Sequence, residues 1–237
     1  IDRSRGLGDV YKRQVSTSYG LKGIPTVSEE IMIKRDLKLL EYTGGKMHIP
    51  CISTKESVGL IKLAKKNKMN ITCSVSINNL FFNDEKLKNF DTRFKVLPPI
   101  RSEDHRKALI KGVNDGTIDF VTSDHSPIDI DNKKTDFVNS LFGSIGLESM
   151  FGALNSLFST EKSIEILTKN KNVFGINENK IDEGEIANLT LFDPDIKYKF
   201  CKEHIISKSK NSCFIDSDLK GKSYGIISNN SKLIIGN

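Results

Sequence analysis

The fold is decided by the stretch Ile118-Asp119-Phe120-Val121-Thr122-Ser123-Asp124-His125-Ser126-Pro127. Its first part is apolar and β-branched, which is typical of a buried strand, and polar residues and a proline follow at once. Asp124 therefore stands where a strand opens into a loop. In parallel α/β folds, catalytic side chains are found at this end of the strands, but an aspartate before Ser-Pro is also a common turn former. On this fragment alone, Asp124 is a candidate catalytic residue or a turn residue.

Strand and helix signals alternate on both sides of this stretch from Gly20 onward. Capping boxes, in which a Ser or Thr is followed three residues later by Glu, predict helix starts at Thr26 and Ser53. Strands are predicted at 46–52, 71–77, 94–97 and 118–123, and later helices at 102–115, 147–158 and 161–169. Strand–helix units in series predict an α/β fold with parallel strands and helical crossovers.

The two ends of the chain differ from this middle part. Residues 1–14 are rich in Arg and Gly and lack apolar periodicity, so we expect a foreign or artefactual leader, with the natural protein beginning upstream of Val15. After about Asn177, short strands separated by turns predict a small β module. The predicted organisation is a leader over 1–14, an α/β body over 15–177 and a β module over 178–237.

Composition excludes several classes of protein. Apolar residues make up 37% of the chain and charged residues 28%, as in globular proteins, and no apolar stretch is long enough for a membrane helix. The net charge of +6 comes from dispersed lysines, and the cluster at 62–68 is predicted to be a solvated helix face, which argues against nucleic-acid binding. Four widely spaced cysteines indicate reduced thiols in a cytoplasmic protein.

A series of short motifs carries a family resemblance. In chain order they are GLKGIP (20–25), EEIMIKRD (29–36), TGGKMHI (43–49), STK (53–55), KVLPPIR (95–101), DGTID (115–119), TSDH (122–125) and GSIGLE (143–148). Their order and spacing resemble the second half of a bacterial dihydroorotase, in the amidohydrolase superfamily. The resemblance implies the later part of a metal-dependent (β/α)8 barrel, followed by part of a small β-sandwich. It also implies zinc-assisted hydrolysis of the cyclic amide dihydroorotate in pyrimidine biosynthesis.

The resemblance assigns metal-binding roles to three strand ends, and two of them are altered here. Asp124 matches the aspartate that serves as metal ligand and proton shuttle. The fifth-strand histidine is replaced by Cys51, which is either a zinc-binding thiolate or, more commonly in an apolar strand, a core cysteine. The sixth-strand pair is replaced by Asn78-Asn79, and asparagine is a poor zinc ligand. His48 is predicted to point to the opposite face from Cys51, because the two residues are three apart along a strand.

The substrate-binding positions are altered as well. The asparagine that family members place before Pro-Pro is Leu97 here, whereas the loop at Phe142 and Gly143 matches the family's backbone contacts to substrate. With few ligands present, we expect this chain not to retain zinc.

Three functions stay open on the sequence. The first is a dihydroorotase with an altered metal shell. The second is a non-catalytic dihydroorotase-like subunit, which would assemble with or regulate a partner such as aspartate carbamoyltransferase. The third and weakest is a hydantoinase or allantoinase, since several of the motifs are shared with these enzymes. Because part of a barrel leaves strand edges open, we also expect this chain to aggregate or form a homo-oligomer rather than an active monomer.

Overall fold

The computed structural model describes residues 23–176, 181–228 and 231–234, so the predicted leader at 1–14 lies outside the described residues. The chain divides into two compact units. The first consists of Ile1–Leu147 with Ser207–Cys213, and the second of Glu148–Ile206 with Phe214–Asn237. Among the described residues, no helix has both the length and the apolar character needed to span a membrane.

The first unit is built on a parallel three-stranded sheet. Its strands, in sheet order, are β1 (Met47–Ile49), β2 (Ile71–Ser76) and β3 (Phe120–Thr122). The register places Met47 beside Ile71 and Ser74 beside Phe120. The helices of this unit are α1 (Thr26–Thr43), α2 (Lys55–Lys66), α3 (Ile77–Phe81) and α4 (Glu103–Asn114). The α/β class with parallel strands and helical crossovers is therefore confirmed.

Strand β2 separates an apolar face from a polar face. Cys73 and Val75 are fully buried, together with Ile61 of α2 and Leu109 of α4. Thr72, Ser74 and Ser76 alternate with these residues and point to the other side of the sheet, because successive strand residues face opposite ways. The helices thus cover one face, and hydroxyl groups line the other.

The strand predicted at 94–97 is wrong. This segment forms a short 3-10 helix, Thr92–Phe94, followed by irregular chain. The carbonyl oxygen of Lys95, which a sheet neighbour would need, instead accepts hydrogen bonds from Gly143 N (3.0 Å) and Lys133 Nζ (3.0 Å). The two prolines that follow have no N–H to offer a ladder.

Both helices begin at or within two residues of the predicted starts, but neither predicted capping box forms. Helix α1 begins at Thr26 after Pro25, with no side-chain cap. Glu29 faces the loop before α2, where it accepts hydrogen bonds from Ser53 N (2.8 Å) and Ser57 Oγ (2.6 Å). The cap of α2 is Thr54, one residue later than predicted, and its hydroxyl accepts from Ser57 N at 3.1 Å.

The second unit combines two helices with an antiparallel sheet. The helices are α5 (Met150–Leu157) and α6 (Thr160–Thr168), and the strands are β4 (Asn188–Lys199), β5 (Asp218–Ser228) and β6 (Ser231–Ile234), in that sheet order. Strand β4 passes Pro194 through an irregularity in its register, as expected for a residue without an N–H.

Helix α5 packs closely against this sheet. A Cβ on Gly152 would lie 2.7 Å from Tyr198 Oη. Asn155 Nδ2 donates to Pro194 O (2.8 Å) and Lys220 O (3.1 Å). These contacts place α5 with the β module, so the division after Leu147 lies earlier in the chain than the predicted boundary near Asn177.

Candidate functional site

Asp124 lies two residues beyond the carboxyl end of β3 in a left-handed backbone conformation (φ 48°). Its side chain is partly buried, and this burial raises the pKa of the carboxyl group. The side chains of Ser76 and Asn78, at the end of β2, oppose the shift because they favour the charged form. Asp124 is thus a carboxyl group with a raised proton affinity at the carboxyl edge of a parallel sheet.

Cys51 lies beyond β1 in the same unusual conformation (φ 50°). Its Sγ is 3.5 Å from Thr122 Oγ1, and its backbone N–H donates to Ser74 Oγ at 3.1 Å. Burial raises the pKa of the Cys51 thiol, and the negative charge of Asp124 adds to the effect. The surroundings of Cys51 therefore oppose the thiolate, the form in which cysteine binds zinc.

Asn78 begins α3 directly after β2 and is 1% exposed. It is close enough to Asp124 to favour the carboxylate, yet neither Nδ2 nor Oδ1 makes a hydrogen bond of normal geometry with another described residue. Asn79 points elsewhere and donates to Pro99 O at 2.8 Å. The structure thus brings Asp124, Cys51 and Asn78 to one edge of the sheet, as the alignment with the family requires.

His48 lies on the same face as this cluster, so the predicted opposite orientation is wrong. Its Nδ1 is 2.9 Å from Thr72 Oγ1 and its Nε2 is 3.3 Å from Ser74 Oγ, the hydroxyl that also accepts from Cys51 N. The strand ends at Ile49, and the left-handed turn at Cys51 breaks the alternation that the prediction assumed. Burial lowers the pKa of His48, which favours the neutral imidazole.

His125, the histidine of the TSDH motif (122–125), contacts the loop at 144–147. Its Nδ1 accepts hydrogen bonds from Gly146 N and Leu147 N, each at 3.4 Å, and a β-bridge joins His125 to Ser144. The ring nitrogen that faces the protein is therefore already bonded.

Of the predicted substrate-binding positions, Leu97 and Phe142 present exposed side chains, whereas the backbone N–H of Gly143 is already hydrogen-bonded. Leu97 is 56% exposed and Phe142 is 44% exposed. Phe142 lines a cavity of about 90 Å³, and Lys95 Nζ lies 4.8 Å from the centre of its ring. Gly143 donates its N–H to Lys95 O and its carbonyl accepts from Asn211 Nδ2 at 3.0 Å. The N–H of Gly143 is thus used within the protein rather than presented to a ligand.

The residues present do not fit a catalytic zinc ion, the cofactor that the resemblance implies. Such an ion normally has three protein ligands and an open position for water. Across 23–176, 181–228 and 231–234, no group of three His, Cys, Asp or Glu side chains could hold a metal. Burial of Cys51 opposes the thiolate because it raises the pKa of the thiol, and the amide of Asn78 carries no charge. Of the three positions for which the resemblance predicts a ligand, only 124 carries the predicted type of side chain.

The sequence analysis did not identify the hydroxyl residues of β2 or Lys133 as parts of this region. The hydroxyls of Thr72, Ser74 and Ser76 form the polar floor beneath Cys51 and Asp124, and their period of two within a strand is a signal that could have revealed them. Lys133 is 4% exposed and holds the loop after β3 to the segment at 92–95. Nothing in its polar local sequence distinguishes it from a surface lysine.

Comparisons with known proteins agree with these motifs. The chain is 38% identical over 215 residues to a dihydroorotase from Caldicellulosiruptor saccharolyticus, a match that covers 88% of this chain and 50% of the relative. It is 39% identical over 223 residues to a dihydroorotase from a Thermoanaerobacter species, covering 91% and 52%. The chain therefore spans about half the length of the curated relatives it matches. No family model matches it.

Solved structures show the fold. The L-hydantoinase (dihydropyrimidinase) from Arthrobacter aurescens superimposes with a TM-score of 0.80 at 23% identity, over 90% of this chain and 50% of that one. The dihydropyrimidinase from Brevibacillus agri gives 0.79 at 20% identity, over 89% and 49%. The fold is thus the α/β fold of hydantoinase-type amidohydrolases. The predicted resemblance is confirmed: this chain is a relative of the dihydroorotases over most of its length, and it spans about half of theirs.

Proposed function

We propose that this chain is part of a dihydroorotase-like amidohydrolase, which as a whole protein hydrolyses or closes the cyclic amide dihydroorotate. The position of Asp124 carries the proposal, because its carboxyl group faces Asn78 and Ser76 from the neighbouring strand end and has a raised pKa. A group with such a pKa can accept a proton and return it. The relatives named dihydroorotase support the substrate class.

The same proposal covers the assignment of the two sheets to larger folds and of three residues to substrate binding. We take β1–β3 with their helices to be the later part of a (β/α)8 barrel, and β4–β6 to be part of the β-sandwich that follows it. Leu97 and Phe142 are exposed and would contact the substrate ring through apolar surface. Gly143 would act through the shape of its loop, because its N–H is bonded to Lys95 O.

The zinc that dihydroorotases use would supply an activated water, and this chain contributes Asp124 alone to its shell. We therefore expect the purified chain to carry no stoichiometric zinc and to hydrolyse dihydroorotate no faster than buffer. Asp124→Ala should change neither result. Loss of measurable hydrolysis in that variant would show instead that Asp124 is a working base in this chain.

Restoring the family's side chains tests the alignment directly. In the variant Cys51→His/Asn78→His, two imidazoles would join the carboxylate of Asp124, which makes the three protein ligands of a catalytic zinc site. We expect zinc binding in this variant, measured by equilibrium dialysis, and its loss when Asp124→Ala is added. The matched control adds His125→Ala to the same double variant. Because position 125 is not one of the three ligand positions, zinc binding should remain. Zinc binding no tighter than in the unmodified chain would show that positions 51 and 78 are not the ligand positions.

A second candidate function is a non-catalytic subunit that assembles with a partner such as aspartate carbamoyltransferase. The favouring observation is that two ligand positions are altered while the strands that present them remain in place. Co-sedimentation of the chain with aspartate carbamoyltransferase tests it, and two separate species at micromolar concentration would contradict it. The hydantoinase alternative rests on fold alone and predicts turnover of hydantoin in preference to dihydroorotate by the whole protein.

A further inference from the structure

The cavity of about 90 Å³ beside Phe142 lies within the first unit, and Asp124 and the other residues of its cluster do not line it. Its wall is largely apolar, because Phe94, Val96 and Ile100 line it and are all buried. Phe142 also lines the cavity but is partly exposed, so the cavity reaches solvent beside this ring. A ligand that enters here would meet apolar surface at depth.

Lys95 places a positive charge at this cavity. Its Nζ lies 4.8 Å from the ring centre of Phe142 and 5.9 Å from that of Phe137, and both rings line the cavity. Within the described ranges, the ammonium group forms no ion pair and donates to one acceptor, Val138 O at 2.7 Å. A lysine ammonium has three N–H groups, so two of them are available to a ligand.

The charge of Lys95 is only partly compensated by its surroundings. Burial lowers the pKa of Lys95, and the negative charge of Asp136 opposes this shift without cancelling it. The carboxylate of Asp136 is used within its own loop, where it accepts hydrogen bonds from Val138 N at 2.9 Å and from Asn139 N at 3.0 Å. A partly desolvated cation of this kind is stabilised when an anion binds it.

The other charged residues of the lining limit the charge of the ligand. Arg101 is buried, and its guanidinium donates to Ser53 Oγ at 3.1 Å and to Ile24 O. It also lies 4.0 Å from the carboxylate of Glu29, so its charge is already paired. Asp84 lines the cavity as well and would repel a second negative charge. The lining therefore suits a ligand with a single negative charge.

We propose that this cavity binds a small monocarboxylate with an apolar tail, with the carboxylate at Lys95 and the tail against Phe94 and Val96. The volume suits a tail of a few carbon atoms, since an apolar cavity of about 150 Å³ accommodates benzene. Dihydroorotate fits poorly, because its ring N–H and C=O groups would lie without partners against the apolar wall. The inference thus goes beyond the proposed function and does not depend on it.

The test is a titration of the full chain with isovalerate, followed by calorimetry and NMR. We expect one equivalent to bind, with nuclear Overhauser effects between the ligand methyl groups and phenylalanine rings. Lys95→Met should reduce the affinity about tenfold or more, because it removes a charge-assisted hydrogen bond. The matched control is Lys86→Met, since Lys86 Nζ lies 6.0 Å from the ring centre of Phe94 but Lys86 does not line the cavity. This variant should bind as the unmodified chain does. The neutral analogue isovaleramide should bind about tenfold more weakly or less.

Three results would overturn the site. Equal affinities for isovalerate and isovaleramide, or for the unmodified chain and Lys95→Met, would show that the charge of Lys95 is not used. Displacement of isovalerate by dihydroorotate at equal concentration would place the cavity within the substrate site, whatever the hydrolysis assay shows. Circular dichroism separates loss of the site from loss of the fold. If Lys95→Met does not fold, the comparison with isovaleramide and the contacts of the ligand methyl groups in the unmodified chain decide the matter.

Discussion

Lys133 is a buried cation, and its removal should change how stability depends on pH. The residue is 4% exposed, and Nζ donates to Thr92 O at 3.1 Å and Lys95 O at 3.0 Å. Burial lowers the pKa of Lys133 from 10.5 to about 8. At about 1.4 kcal/mol per pKa unit, the charged form costs the folded state up to about 3 kcal/mol. Because the folded pKa is the lower one, this cost is complete below about pH 8 and is gone above about pH 10.5.

The variant Lys133→Met removes this charge and one of the two donors to each carbonyl oxygen, since Thr92 O keeps the N–H of Lys95 and Lys95 O keeps that of Gly143; the pH-independent cost is about 0.5–1.5 kcal/mol. We therefore expect the stability of the unmodified chain, relative to the variant, to rise by up to about 3 kcal/mol between about pH 7 and about pH 10.5. Urea unfolding followed by circular dichroism measures both proteins.

The neighbouring residue supplies the control for this experiment. Lys134 is exposed, so Lys134→Met should show no comparable change between the two pH values. Burial raises the pKa values of both Cys73 and Cys213 to about 12, although the charge of Lys133 lowers the pKa of Cys213, so both thiols keep their protons in the folded state up to about pH 10.5 and their contributions cancel in the comparison. A difference between the unmodified chain and Lys133→Met that is the same at both pH values would refute the argument.

Three further results are expected. Glu29→Gln weakens the charge-assisted hydrogen bonds to the loop before α2 and should lower the free energy of unfolding by about 1.5–3 kcal/mol, whereas Glu30→Gln, on the same helix, should have little effect. Gly152→Ala forces a methyl group against the sheet and should destabilise by about 1–3 kcal/mol. Its control, Gly59→Ala, has open space in an exposed helix position and should stabilise by about 0.5–1 kcal/mol; equal effects of the two would contradict the packing described. Sedimentation should show self-association, since β1 and β3 each pair on one side among the described residues, and a stable monomer at micromolar concentration would count against it.

The sequence predicted regular strands and helices better than the connections between them. Strand β2 and helix α4 were expected at 71–77 and 102–115 and lie within a residue or two of those bounds, because apolar periodicity is a local signal. The segment at 94–97 looked equally strand-like, but distant residues, Gly143 and Lys133, take its carbonyl oxygen. Such long-range partners leave no local pattern.

The candidate site shows the same limit. The alignment of Asp124, Cys51 and Asn78 at strand ends could be inferred from motif order, and the structure brings them together. The side on which His48 lies could not be inferred. Side chains alternate between the two faces only while the chain stays extended, and the left-handed conformation of Cys51 ends that alternation. The occupied N–H of Gly143 likewise depends on a partner 48 residues away, Lys95.

The two left-handed residues, Cys51 and Asp124, have a consequence for how this region can change. For residues other than glycine this conformation costs on the order of 1–2 kcal/mol, whatever the side chain does. Glycine or asparagine would relieve the cost at either position, so neutral drift toward stability should favour them once chemistry no longer constrains the side chain. A site of this kind can be recognised by its backbone after its side chains have been replaced, and left-handed residues after the two strands that flank β2 are the feature to search for in other relatives.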